Sequence, residues 1–171
     1  MTAQEFLQRG IGRKLTFLGR AADMISISLS SSKECCYEFA IHIMTDCKIC
    51  FRGLPFTNAK EVYHYTWPGH TVYDEKVEQL MRKEFVLRSL SYDASGCLHA
   101  EFSNELEIKT LPEVTASDDE VELWRVFLVH AAAPHLVATG SGIRLEEDSC
   151  SQEELDKFRS VLHEMRERKR K

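Results

Sequence analysis

No stretch of this sequence approaches the roughly 18 consecutive apolar residues that a membrane-spanning helix needs. The opening MTAQEFLQRGIGRK also lacks the apolar segment of a secretory signal. The expected setting is therefore the cytoplasm, with no membrane partner. Proline and glycine are scarce, four and eight in 171 residues, which excludes collagen-like and Pro/Gly-rich low-complexity chains. Nucleophile-elbow, phosphate-loop, dinucleotide-binding and zincin patterns are all missing. The chain has one C-x-x-C and no second, whereas a structural zinc site commonly uses two such knuckles to supply four ligands.

What is present is ordinary globular sequence, 43% hydrophobic and 29% charged. The length fits one domain over 1–171. A chain of this size buries roughly 70% of its unfolded surface, so it folds without a metal or disulfide staple. Its six cysteines (Cys35, Cys36, Cys47, Cys50, Cys97, Cys150) are then expected as thiols, which a reducing cytosol maintains. The net charge is −5, and the last six residues carry five basic groups against one acid, so the rest of the chain carries −9. Such a body repels nucleic acid and anionic lipid and attracts a basic protein partner. The tail at 166–171 reads as a solvated, frayed end.

Two-residue alternation dominates the middle of the chain. Ile25, Ile27 and Leu29 share one face of MISISL, with serines opposite. Tyr37, Phe39, Ile41 and Ile43 repeat the pattern, and Thr45-Asp46 marks a hairpin turn or bulge before CKICF. EVYHYTW at 61–67 alternates and is rich in β-formers, closed by Pro68-Gly69. Residues 74–83 carry Val77, Leu80 and Met81 at helical spacing, a short internal helix. Extended segments follow at 85–92, 97–102, 106–110, 122–129 and 135–139, separated by turns at 93–96 and 104–105. Trp124 and Phe127 are expected in the core, with Arg125 on the opposite face. Ser151 and Glu154 form a capping box, and Leu155, Phe158, Leu162 and Met165 make a stripe behind it. The expected class is α+β: a mainly antiparallel β-sheet, a C-terminal helix packed on it, and one short internal helix.

The segments IGRKL, AADMISISL, YEFAIHIMTDCKI, FVLRSLSYDASGCLHAEFSNELEI and VELWRVFLVHAAAPHLVATGSGIRLE, taken in this order, resemble a widespread group of small uncharacterised bacterial proteins. The likeness covers roughly residues 10–147. Where that group has Trp-Arg after its apolar-His-apolar step, this chain has Cys47-Lys48 after His42. The resemblance implies a small β-rich fold and, from some members, an immunity-like role, with no activity attached.

The candidate chemistry is sparse. Cys47 and Cys50 are spaced to chelate a metal or form a redox disulfide, with Cys35, Cys36 and His42 as further ligands if their strand lies alongside. In an extended strand, however, the two thiols point to opposite faces, and cysteine commonly packs as a small hydrophobe. Neither a metal nor a cofactor is expected. Among seven histidines no H-x-H or H-x-x-x-H pair occurs. His42 and His99 fall within strands, and His70 follows a turn and is the best isolated acid–base candidate. Tyr63, Tyr65 and Trp67 share one face if 61–67 is a strand. Exposed, they make an anchor patch of the kind found at interface hot spots; buried, as strand aromatics usually are, they are core. Asp118, Asp119 and Glu120 form an acidic run, read as a solvated loop or as contact surface for a basic partner. The function expected is non-enzymatic, immunity-like protein binding through an acidic surface. The alternative is a metal-binding or hydrolytic enzyme with a dispersed site around Cys47, Cys50 and His70.

Overall fold

The computed structural model describes residues 1–31, 37–111 and 121–147. Helix α1 (Ala3–Gln8) opens the chain, started by a capping box in which Thr2 and Glu5 bond each other's backbone amides. The first half continues with β1 (Leu15–Ala21), β2 (Met24–Leu29), β3 (Phe39–Ile43), β4 (Cys47–Phe51) and β5 (Leu54–Asn58). A 3-10 turn at Ala59–Tyr63 leads to β6 (Tyr65–Trp67), β7 (His70–Thr71) and helix α2 (Val72–Leu80). The second half runs through β8 (Leu87–Tyr92), β9 (Leu98–Phe102), β10 (Leu106–Thr110), β11 (Glu122–Leu128), β12 (His135–Thr139) and β13 (Gly142–Glu146).

These strands form two large antiparallel sheets and a separate two-stranded hairpin, β6-β7. One has six strands in the order β1-β2-β3-β11-β12-β13, the other five in the order β5-β4-β10-β9-β8. A backbone seam joins them, with the Leu15 amide donating to Phe85 O at 2.8 Å and the Leu87 amide to Arg13 O at 2.9 Å. Alternation sets which faces meet. Ile25, Ile27 and Leu29 pair in register with Ile43, Ile41 and Phe39, all inward and buried. Trp124, Val126 and Leu128 extend that layer, while Ile49, Leu87, Leu90, Ala100, Leu106 and Ile108 face it from the other sheet in one continuous core. The Trp124 indole N–H donates to Gly96 O at 2.8 Å, tying the sheets at one end. Tight hairpins use left-handed residues, Arg52-Gly53 between β4 and β5 and Asn104-Glu105 between β9 and β10.

Several expectations need correction. The α+β class with a C-terminal helix packed on the sheet does not hold: the described residues are mainly antiparallel β with two small helices, one near the N-terminus. The helix expected from Ser151 onward lies outside the described residues. A capping box and an apolar stripe are local signals that carry no information about packing; among the described residues two sheet faces, α1 and α2 supply the core. Thr45-Asp46 makes no hairpin, because the chain leaves the six-stranded sheet at β3 and enters the five-stranded one at β4. Residues 59–63 form a 3-10 turn, not a strand, since the Asn58 side chain accepts from the Lys60 amide at 3.0 Å and caps it. Phe127 shares the outward face of β11 with Arg125, being three residues from Trp124 in a strand of period two.

Candidate functional site

Tyr63, Tyr65 and Trp67 stand in water, 62%, 65% and 58% exposed. They do not share a strand face, because Tyr63 closes the 3-10 turn and only Tyr65 and Trp67 lie in β6. The hairpin from β6 to β7 turns at Pro68-Gly69, where Gly69 takes φ +81°, a left-handed angle that L side chains rarely adopt. The turn brings His70 back against Trp67, with rings stacked at 4.8 Å and 11°. His70 Nε2 lies 3.1 Å from Glu78 Oε1 on α2. Its Nδ1 is buried without a hydrogen-bond partner.

Asp74 anchors this edge. Its carboxylate accepts from the Thr71 amide at 2.8 Å and the Thr71 hydroxyl at 2.9 Å, and Thr71 Oγ1 accepts from the Asp74 amide, so α2 starts on a closed capping box. Arg20 Nε of β1 donates to both carboxylate oxygens at 3.1 and 3.0 Å, and Arg20 Nη2 reaches Gly69 O at 3.3 Å. The same guanidinium lies 5.9 Å from the Tyr65 ring centroid, within cation–π reach. Burial acts to raise the Asp74 pKa, but the Thr71 and Arg20 bonds outweigh it and hold the carboxyl below its ordinary range. Beneath, the Tyr73 hydroxyl donates to Gly19 O at 3.3 Å, and burial pushes its phenol well above its usual value.

Phe17, Arg20, Gly69, His70, Asp74 and Glu78 line a shallow cleft of about 400 Å³. Arg20 closes on Asp74, and His70 stands beside Glu78. Its lining contains no serine, cysteine or lysine to act as a nucleophile. The Arg20–Asp74 pair ties β1 to the start of α2 at this edge.

The remaining sequence candidates are dispersed. Cys47 faces the core and burial pushes its thiol up to about 12, whereas Cys50 lies on the opposite face of β4, in register with Glu107. His42 belongs to the other sheet, and Cys35 and Cys36 lie outside the described residues. Among the described residues no group of three or more His, Cys, Asp and Glu could hold a metal ion. The acidic run Asp118, Asp119 and Glu120 also lies outside them. His42 sits on the outer face near Arg125, which binds both Glu122 oxygens at 2.8 and 2.7 Å and His135 Nδ1 at 2.8 Å. Burial lowers the His42 pKa, opposed by Glu122 and reinforced by Arg125 and His135.

Sequence reasoning did not find Arg20, Asp74 or Glu78. Asp74 and Glu78 stand four residues apart, hence on one face of a helix, so that signal was available; Arg20 lies 54 residues away in sequence and gave none. Among the described residues no helix is long and apolar enough to cross a membrane. Comparison with family models, with curated proteins and with solved structures finds no match to this chain.

Proposed function

We propose that the chain is a non-enzymatic protein-binding domain, immunity-like in its action, that captures a basic protein partner at the edge bearing Tyr63, Tyr65 and Trp67. The observation carrying this reading is that three large aromatic rings within five residues are left more than half exposed. Burying an apolar side chain of such size stabilises a fold by about 1.5–3 kcal/mol, so a cluster held in water forgoes that gain. Tyrosine and tryptophan are the residues that anchor interfaces, because a rigid ring brings much contact area at little entropic cost. They also stack on arginine and lysine. The net charge of −5 steers a cationic surface toward the chain. Nucleic acid and membranes, both anionic, are disfavoured partners. The closed pairs Arg20–Asp74 and His70–Glu78 fix the edge before binding, which lowers the ordering cost.

The test places a photo-crosslinking amino acid at Tyr65 and, as control, at exposed Arg88 on β8. The reading expects one basic protein crosslinked from position 65 and not from 88. Its recovery falls with added salt and is lost on Trp67→Ala in a folded variant. Adducts of neutral or acidic proteins only, or equal yields from both positions, contradict it.

A further inference from the structure

A second concavity lies between β4, β5 and the opposite side of α2. It has a volume of about 360 Å³, within the range of small-molecule sites. Lys76 borders it, whereas Asp74 and Glu78, two residues to either side on the helix, border the cleft shared with Arg20 and His70. Pro55, Phe56 and Leu111 give it an apolar wall, and Lys48, Lys60 and Lys76 bring three ammonium groups.

The two carboxylates present are already engaged. Lys76 Nζ holds both oxygens of Glu61 at 2.8 Å, and the Thr57 hydroxyl donates to Glu61 Oε2 at 2.6 Å. Asp46 pairs with Lys60 at 3.3 Å. Lys48 has no ion pair among the described residues. The β4–β10 ladder sets it directly opposite Lys109, like charge against like, an arrangement that destabilises a sheet. Cys47 brings no negative charge, because burial keeps its thiol neutral. The pocket thus carries one ammonium in excess beside an apolar wall, and an anion seated there relieves the Lys48–Lys109 repulsion.

We propose that this pocket binds a small organic carboxylate, with Lys48 pairing the carboxylate and Phe56 and Leu111 covering an apolar body. The site is independent of the aromatic edge, so either assignment stands or falls without the other.

Titration of the full chain with para-fluorobenzoate, followed by fluorine NMR at constant ionic strength, tests it. Saturable binding is expected, with para-fluorobenzyl alcohol and para-fluorobenzylamine failing to compete. Lys48→Ala should weaken binding severalfold, as loss of one exposed ion pair does, while Lys48→Arg retains it. Lys48 is exposed, so Lys48→Arg should keep the parent's melting temperature, and Lys48→Ala should keep or slightly raise it because the repulsion from Lys109 is removed. Equal affinity for the alcohol, unchanged affinity in Lys48→Ala, or no saturable binding would each overturn the proposal.

Discussion

Replacing Asp74 by Asn removes one charge and leaves the volume nearly unchanged. The carboxylate accepts from Arg20 through both oxygens and from Thr71 through two donors. An amide oxygen in the place of Oδ2 keeps both Thr71 contacts and one Arg20 contact, while the amide nitrogen replaces Oδ1 and turns N–H groups toward the guanidinium, so the second Arg20 contact and the charge attraction are lost. Both partners of the ion pair are less than one-fifth exposed, so water does little to compensate. Hydrogen bonds to charged groups contribute about 1.5–3 kcal/mol each, and the expected loss is about 3 kcal/mol. For a chain of this length that lowers the melting temperature by about 6–12 °C. The loss is less than the total stability of about 5–15 kcal/mol usual for a domain, so the variant stays folded.

The sign of the pH dependence follows from the depressed Asp74 carboxyl. Its contribution is present above the unfolded value, about pH 3.9, and is lost as pH falls through the lower folded value. Thermal melts by circular dichroism should therefore show a gap between parent and variant at neutral pH that closes in acid. A gap of less than about 0.5 kcal/mol, the scatter of ordinary surface changes, or one independent of pH would refute Asp74 as the anchor of this edge.

Other consequences are as direct. Arg13 is almost fully buried, and it donates to the carbonyls of Arg9 at 2.7 Å, Ser30 at 3.0 Å and Tyr37 at 2.6 Å. Arg13→Met should cost about 1.5–3 kcal/mol, because three part-buried carbonyls lose a charged donor, and urea unfolding measures it; an unchanged midpoint would contradict this role. Of Cys47 and Cys50, iodoacetamide at mildly alkaline pH should modify Cys50 first, since the Cys47 thiol is buried and held protonated up to about 12. Peptide mapping that found Cys47 alkylated as fast as Cys50 in folded protein would contradict that placement.

The alternating runs were the legible part of the fold. MISISL forms β2 with the predicted face inward, and the turns at 93–96 and 104–105 fall where Asp93, Gly96 and Asn104 place them. Helix α2 begins two residues earlier than its apolar spacing indicated, because Thr71 supplies the cap. What failed was anything decided by pairing. EVYHYTW has the composition of a strand, yet Asn58 bonds the backbone locally and turns its first residues into a 3-10 helix. The change of sheet between β3 and β4 leaves no mark in the periodicity, since both strands alternate. The aromatic trio was visible as a choice between core and surface, and only the hairpin's position at the rim decides it. Its supports, Arg20 and Asp74, are joined across 54 residues, which no local pattern records.

The docking of a basic partner proposed for the edge around Trp67 is open to direct observation. The chain has two tryptophans, Trp67 exposed and Trp124 fully buried, so fluorine NMR of protein labelled with fluorotryptophan reports the two separately. On addition of the basic protein recovered by crosslinking, the Trp67 resonance should shift and lose its sensitivity to solvent isotope, while Trp124 stays in place. A bound complex in which Trp67 remains as solvent-sensitive as in the free chain would contradict the account.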